Sequence, residues 1–399
     1  MSDDAVRRID ALIGVGMRLA RSAPSGRVLL AVLGRVLEPA WIPQPWGDEI
    51  VAELGAARGA ACEPIKLQRI ERVLRAAWGV APTAVLDELD PEPVATTPTS
   101  QVHRAVLEGR PVAVKVLRPG LAASVRQDLL LVERLLGPLA AAFPAIDASG
   151  LVAEFRERVL DELDLEHESM TQRRFHRALA HHSFLTVPAP VTRLAREDVL
   201  VSEWVDGVPL AQARDRDGAA ARLLVFMVGA ARFGTVPADP DPADVLLAPD
   251  GRLAVLDFGA ARTVDRERVG VAAAALEAFA RRDPDALARA LNELRWLPAD
   301  HGMLALDLIA DALGDLARPG PARLDSDAVL AVRDRLFERP DALTELILAG
   351  GLPPEDLWPA RGLLQLFGSI ARIGATAPWL ELTRAALRDG WSAEVRSPP

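Results

Sequence analysis

One lysine in a β-like segment has the surroundings expected of a phosphate-binding group. Lys115 lies in the run 112–117, where strand alternation places it on the same face as Ala113. A lysine on the inner face of a half-buried strand is costly unless an anion meets it. The alternative is a gatekeeper lysine on an edge strand. Arginine would serve there equally well, and this chain has only one other lysine, Lys66. We therefore favour a phosphate contact, for which an ammonium is not freely exchanged.

Three aspartates downstream of Lys115 have the spacing of a magnesium–triphosphate site. Asp257 follows an apolar strand and precedes Phe-Gly, which suits a magnesium ligand. Asp239 and Asp244 lie five residues apart in a Pro/Asp-rich loop, and a predicted hairpin leads from there to Asp257. Kinases order their catalytic base, second metal ligand and Asp-Phe-Gly in this way. The spacing predicts Asp239 as the base and Asp244 and Asp257 as Mg²⁺ ligands. The alternative is a run of acidic surface turns.

A kinase lysine needs a carboxylate partner that directs it to the phosphates. Glu133 lies at about the usual protein-kinase separation from Lys115, and Glu162 in the sequence DELD is a second candidate. Helical periodicity alone does not choose between them.

The segments that would position these residues alternate between helical and β-like patterns. A β-hairpin is predicted at 102–107 and 112–117, and a buried strand at 199–205. Helical patterns cover 5–40, 48–60, 67–79, 121–143, 149–180, 209–233 and about 262–390. This order predicts an α+β, two-lobed protein-kinase-like fold. We expect an N-terminal helical extension (1–90), a small β-rich lobe with inserted helices (91–206) and a helical C-lobe (207–399).

Seven sequence blocks resemble one family, in its order along the chain. They are QVHRA at 101–105, VAVKV at 112–116, RPG at 118–120, DELD at 161–164, SEWVDGVPL at 202–210, ADP at 238–240 and LDFG at 256–259. Together they resemble the UbiB-like (AarF-type) atypical kinases, which are linked to ubiquinone and other isoprenoid-lipid metabolism. The resemblance implies Mg²⁺ with ATP or ADP as cofactors. It also implies that Glu162 pairs with Lys115, and it supports a catalytic Asp239.

The same resemblance implies where a nucleotide would lie. An alanine-rich loop replaces the glycine-rich phosphate loop in this family, and an interlobe hinge meets the adenine. These nucleotide contacts correspond to Lys115, the loop residues Ala95, Thr96 and Thr97, and the hinge residues Glu203 and Val205.

Several departures from the family pattern leave catalysis open. The loop after Ala95 is Thr/Pro-rich, and Pro98 has no N–H to offer a phosphate. Both catalytic-loop histidines are missing, and Asp244 replaces the asparagine ligand. The amino-terminal Lys-x-Gly-Gln signature is not recognisable, its nearest register being 32–35. The chain could be an active kinase or ATPase, or a nucleotide-binding or scaffolding pseudokinase. A small-molecule phosphotransferase is more remote, because the RPG and Glu-x-Asp blocks count against it.

Composition limits the partners. The 399 residues carry a net charge of −10, so we expect no nucleic-acid binding. The single cysteine, Cys62, is typical of a reducing compartment. No run approaches the roughly 18 apolar residues of a membrane span, so we expect a cytoplasmic protein. The segment 5–40 packs as a helix, or alternatively contacts the inner membrane surface. Lipid or quinone-pathway proteins are the expected partners besides nucleotide.

Overall fold

The structure is a computed structural model that describes residues 62–393 except 144 and 240, together with the isolated positions 7, 11, 14, 15, 52, 53 and 56. The predictions for the segment 5–40, the helix at 48–60 and the register at 32–35 therefore lie outside the described residues.

An antiparallel four-stranded sheet forms the N-lobe. Its order is β1-β2-β3-β5, with β1 at Glu88–Thr96, β2 at Ser100–Leu107, β3 at Arg110–Leu117 and β5 at Val199–Glu203. Glu108 and Gly109 both have positive φ, at 51° and 73°, as the tight turn between paired strands requires. The predicted hairpin is confirmed, and the predicted strand at 199–205 ends two residues early.

Helix α1 (Leu67–Trp78) covers the outer face of this sheet. Its Ile70 and Leu74 are fully buried and belong to the same apolar cluster as Val114 and Val201. This packing anchors β3, the strand that carries Lys115.

Four helices follow β3 before the chain returns to the sheet. They are α2 (Leu121–Val132), α3 (Leu136–Ala142), α4 (Ala148–Asp161) and α5 (Leu165–Ala178). The predicted helix at 149–180 is interrupted because Asp164 caps a new helix. Its carboxylate accepts hydrogen bonds from the backbone N–H groups of Glu166 and His167. This cap begins α5 and fixes which of its residues face the sheet.

A second sheet and a buried helix form the base of the C-lobe. The sheet has the order β4-β9-β8-β6, with β4 at Leu185–Thr186, β6 at Val208–Pro209, β8 at Val245–Leu247 and β9 at Leu253–Val255. Helix α6 (Arg216–Phe233) is buried on most of its surface. All residues of its apolar stretch 223–231 are buried, so this stretch belongs to the core. The small pair β7 (Thr235–Val236) and β10 (Arg262–Thr263) flanks the loop that holds Asp239.

The rest of the chain is helical, apart from a small pair of strands. The helices are α7 (Arg266–Arg281), α8 (Pro284–Glu293), α9 (Gly302–Leu313), α10 (Ser326–Glu338), α11 (Pro340–Ala349), α12 (Leu357–Ile373) and α13 (Trp379–Asp389). The strands are β11 (Ala322–Leu324) and β12 (Ala375–Ala377). Residues of α12 and α13 share the main core with α6. Among the described residues, no helix combines the length and apolarity needed to cross a bilayer. The fold is the predicted two-lobed, kinase-like α+β arrangement.

Candidate functional site

Lys115 meets two carboxylates between the lobes. Its ammonium donates hydrogen bonds to Oε1 and Oε2 of Glu168 at 2.8 and 2.9 Å and to Oδ2 of Asp257 at 3.2 Å. The Lys115 and Asp257 side chains are 18% and 17% exposed, whereas Glu168 is 1% exposed. The lysine on β3 therefore contacts both α5 and the segment after β9, while part of its side chain remains accessible to solvent. This arrangement rejects the gatekeeper interpretation, since a gatekeeper lysine would point to solvent.

Electrostatics keep this lysine charged. Burial alone would lower the pKa of the Lys115 ammonium, but Asp257 and Glu168, with Asp244 further off, raise that pKa above its ordinary value. Burial raises the pKa of the Glu168 carboxyl, and the neighbouring lysine partly offsets this. Glu168 is held in place by the lysine and by the backbone N–H of Phe258, which donates to its Oε1 at 3.4 Å.

The prediction of Glu162 as the lysine's partner is wrong, because the carboxylate against Lys115 is that of Glu168, six residues later. Glu162 lies in the turn between α4 and α5, before the cap at Asp164. Glu133 is not the partner either, since it accepts a hydrogen bond from Arg156 at 2.7 Å. Glu168 had a sequence signal: it falls on the buried face of α5 with Leu165, Gln172 and Phe175, so a charge there requires a partner.

The β8–β9 hairpin brings Asp244 and Asp257 to one end. Val245 pairs with Val255, so the residues just before β8 and just after β9 adjoin. The backbone N–H of Leu256 donates to the carbonyl oxygen of Asp244 at 3.0 Å. The N–H of Gly259 donates to Oδ1 of Asp257 at 2.9 Å, which orients that carboxylate.

The side chain of Phe258 packs the Asp257 segment against α5. Phe258 is 1% exposed, and its ring centroid lies 4.9 Å from that of Phe175, which is fully buried. Since Phe175 is on the helix that carries Glu168, the two carboxylates on Lys115 are held by one apolar contact as well as by charge.

Asp239 lies on the loop between β7 and β8, and its side chain is only 9% exposed. This burial counts against a solvent-exposed acidic turn. Arg361, on α12, lies beside it: its Nη2 is 3.7 Å from Oδ2 of Asp239, and its Nη1 donates to the carbonyl of Ala238 at 2.7 Å. Sequence reasoning missed Arg361, which follows Asp239 by more than a hundred residues; an arginine within an apolar helical pattern was its one signal.

The predicted phosphate loop comprises the end of β1, with Ala95 and Thr96, and the turn at 97–99 that leads to β2. Ala95 pairs with Val102 and Thr96 with Gln101. The Thr97 hydroxyl is used within the turn, where it donates to the carbonyl of Ser100 at 3.2 Å. Arg118, the residue after β3, holds the turn in place, because its Nε donates to the Thr97 carbonyl at 2.9 Å. Ala95 and Lys115 both pair with Val102, so the loop lies at the same end of the sheet as Lys115. The Thr97 hydroxyl, however, is already hydrogen-bonded within the turn.

The predicted hinge connects the two sheets. Glu203 ends β5, and the segment 204–207 leads into β6 of the other sheet. The N–H of Glu203 donates to the Ala189 carbonyl at 2.9 Å, and its carboxylate accepts from the Ala189 N–H at 3.0 Å. The hinge N–H of Glu203 is therefore engaged internally. Val205 lies half-buried in the connection.

The donor set suits magnesium held with a phosphate group. Within the described residues, no group of three or more His, Cys, Asp or Glu side chains could hold a metal ion by itself. Asp244 and Asp257 supply two carboxylates, which is the protein share that Mg²⁺ takes when phosphate oxygens and water complete its octahedron. Lys115, beside Asp257, adds the positive charge that a phosphate needs.

The comparisons with known proteins define the class. Residues 59–291, more than half of the chain, match the model of the ABC1 atypical kinase-like domain, and the chain belongs to that family. Its kinase-like character implies nucleotide use.

Two individual relatives agree with this assignment. The chain is 31% identical over 230 residues to the chloroplastic Protein ACTIVITY OF BC1 COMPLEX KINASE 3 of Arabidopsis thaliana, covering 54% of this chain and 32% of the relative. It is 30% identical over 250 residues to the Probable protein kinase UbiB of Aeromonas hydrophila, covering 58% and 46%. The chain therefore spans between about a third and about half the length of these relatives.

A solved structure matches across nearly the whole chain. It is Rv3197 of Mycobacterium tuberculosis in complex with erythromycin, with a TM-score of 0.63 and 22% identity, covering 96% of this chain and 97% of the other. At this identity the likeness supports the fold alone.

Proposed function

We propose that this protein is an atypical kinase or ATPase that binds Mg-ATP between its lobes. The observation that carries the proposal is Lys115, which contacts a buried glutamate from the helix α5 and the aspartate of an Asp-Phe-Gly segment at once. In kinases this lysine–glutamate pair and this aspartate must both be in place for phosphoryl transfer.

Each side chain has a role that its surroundings support. Lys115 binds the α- and β-phosphates, and Glu168 holds its ammonium in that direction. Asp244 and Asp257 would hold Mg²⁺, which when bound neutralises developing charge on the phosphates. Asp239 accepts the proton of the acceptor hydroxyl or of the attacking water.

A pseudokinase is the second candidate, and two observations favour it. The Thr97 hydroxyl and the Arg118 guanidinium are used to brace the predicted phosphate loop. Asp244, in place of asparagine, adds a negative charge beside the triphosphate, so a metal must offset more repulsion. Such a protein would bind nucleotide or partners without turnover.

The experiment separates these outcomes with the full chain. ATP binding is measured by calorimetry with and without Mg²⁺, and hydrolysis by phosphate release, for the natural protein, Lys115→Ala and Asp257→Asn. Lys66→Ala is the matched control, because that lysine is exposed at the start of α1. Mg²⁺-dependent binding and turnover, both lost in the two variants but not in the control, support the proposal. Binding without turnover favours the pseudokinase, and no binding rejects both nucleotide-dependent forms.

We also propose that this activity belongs to isoprenoid-lipid or quinone metabolism, with lipid or pathway proteins as partners. An apolar cavity of about 500 Å³ supports it, since such a cavity suits a hydrocarbon chain. Its wall includes Val236 and Pro237 at the start of the Asp239 loop, and Leu363 and Phe367 of α12.

Farnesol is the probe for that cavity. Its binding is reported by the part of the tryptophan emission that is lost in Trp296→Phe, because Trp296 is in the cavity wall and the chain has eight tryptophans in all. We expect saturable quenching that weakens in Ala272→Phe, which narrows the cavity. Ala274→Phe, on the exposed face of the same helix, is the matched control. Equal quenching in all three proteins would reject an isoprenoid in this cavity.

A further inference from the structure

We propose that Arg361 is a positioning residue that holds Asp239 in place from the C-terminal helix α12. This rests on the proposed function, because Asp239 is the base in it. Arg361 lies seventy residues beyond the end of the family match at 291. The chain would then complete its active site from a part that the family match does not include.

The contacts of Arg361 are those of a fixed group. It is 5% exposed, and its guanidinium carbon lies 4.7 Å from the ring centroid of Trp358, one helical turn earlier. Its Nη1 donates to the Ala238 carbonyl at 2.7 Å, while Nη2 lies 3.7 Å from the Asp239 carboxylate. The planar guanidinium thus contacts the loop backbone with one nitrogen and faces the carboxylate with another.

A guanidinium buried to this degree requires a negative partner. Oδ2 of Asp239, 3.7 Å from Nη2 of Arg361, supplies that negative charge. At 3.7 Å this contact is an ion pair that is too long to be a hydrogen bond. It therefore orients Asp239 through charge, while the hydrogen bond to Ala238 fixes the backbone one residue before it.

The next residue of α12, Gly362, packs closely against the same loop. A Cβ at Gly362 would lie 3.3 Å from Cα of Ala238 and 3.6 Å from its carbonyl oxygen. Helix and loop are in van der Waals contact there, so a displacement of α12 moves the loop. Small displacements of a catalytic group cost large factors in rate.

The kinetic test compares Arg361→Met, Arg361→Lys and the natural protein. We expect Arg361→Met to lower kcat for ATP hydrolysis about 10- to 100-fold, with the nucleotide Kd changed less than about threefold. Arg361→Lys keeps the charge but not the planar fork, and should recover part of the loss. Arg372→Met is the matched control, an exposed arginine on the same helix. Equal losses in kcat and nucleotide affinity, with no recovery by lysine, would overturn the positioning role.

A double-mutant cycle with Asp239→Asn shows whether Arg361 acts through Asp239. We expect the double variant to be no slower than Asp239→Asn alone, because residues that act as a unit are non-additive. Multiplied losses would overturn the proposal.

The same cycle, measured as free energy of unfolding, needs no turnover. If the natural protein does not hydrolyse ATP, the proposed activity fails, yet coupling between Arg361 and Asp239 in the unfolding cycle still supports the contact. Additive unfolding effects with measurable turnover would reject the positioning of Asp239 and leave the proposed activity intact.

Discussion

At the scale of single residues, the carboxylate of Glu168 is the partner that decides how Lys115 points. We expect Glu168→Gln to lower kcat/KM for ATP hydrolysis by about two orders of magnitude, because the amide no longer attracts the ammonium. Glu166→Gln is the control, since that carboxylate is exposed on the same helix. Steady-state phosphate release measures both. Equal activity of the two variants would contradict the assignment of Glu168.

Removal of Lys115 tests the same pair through stability. Lys115→Met leaves a buried carboxylate without its cation, which typically costs about 3–5 kcal/mol. Burial raises the pKa of the Glu168 carboxyl, and Lys115 partly offsets this increase. Loss of the lysine removes that offset, so the pKa rises further. A raised folded-state pKa gives stability that is present at low pH and lost as pH rises. The loss of unfolding free energy in Lys115→Met, measured by urea denaturation, should therefore be larger at about pH 8 than at about pH 5. A loss that does not depend on pH would contradict this prediction.

Part of this site was predictable from sequence. Strand alternation and the spacing of the aspartates predicted Lys115, Asp244 and Asp257 together, because local hairpins fix such spacings. Glu168 was missed in favour of Glu162, since motif matching does not say which face of α5 meets the sheet. Arg361 was missed because its partner lies on another element, far away in the chain.

At the scale of elements, the aromatic contact between Phe258 and Phe175 ties α5 to the Asp257 segment. We expect Phe258→Ala to reduce the free energy of unfolding by about 3–5 kcal/mol, through lost burial and an uncollapsed cavity. ATP affinity should fall with it, because Glu168 and Asp257 lose their common support. Met170→Ala, 59% exposed on α5, is the control. Chemical denaturation and calorimetry measure the two quantities, and an unchanged stability would contradict the role of this contact.

A charged contact ties α7 to α13. Arg384 donates from Nε and Nη2 to the two oxygens of Glu277, at 2.9 and 2.6 Å, and this holds the pKa of the Glu277 carboxyl below its ordinary value. A lowered folded-state pKa contributes stability above the unfolded pKa that is lost as pH falls. Arg384→Met should cost about 0.5–1 kcal/mol at neutral pH, and the difference should vanish in acid. Arg388→Met, at an exposed neighbouring pair, should cost nothing measurable. A cost that persists in acid would contradict the ionic origin.

A capping side chain sets one helix boundary that hydrophobic periodicity did not predict. The helical pattern at 149–180 gave no break, yet Asp164 divides it into α4 and α5. An aspartate that caps a helix can also lie on a helix surface, so periodicity alone does not distinguish the two. The helical pattern at 209–233 predicted the buried helix α6, which begins later, at Arg216. A uniformly apolar segment has no preferred face, so the pattern did not indicate what the helix packs against.

At the scale of the whole molecule, the C-terminal helices belong to the core of the C-lobe. Leu366, Ile370, Trp379 and Leu382 share one apolar cluster with the buried faces of α6. The family match ends at 291, before all four. The kinase-like lobe of this chain therefore depends on helices that lie outside the matched domain.

Truncation after residue 291 tests that dependence. Removal of α9–α13 would expose the apolar faces of α6, and each large side chain loses about 1.5–3 kcal/mol of burial. That loss exceeds the 5–15 kcal/mol of net stability of a typical protein once several side chains are counted. We expect the truncated chain to aggregate or to lack a cooperative thermal transition.

Truncation after Ala393 is the control and should unfold cooperatively like the full chain. A cooperative transition in the shorter chain would show that the chain folds without its C-terminal helices. These helices, including the one that carries Arg361, would then be an addition to a complete kinase-like domain.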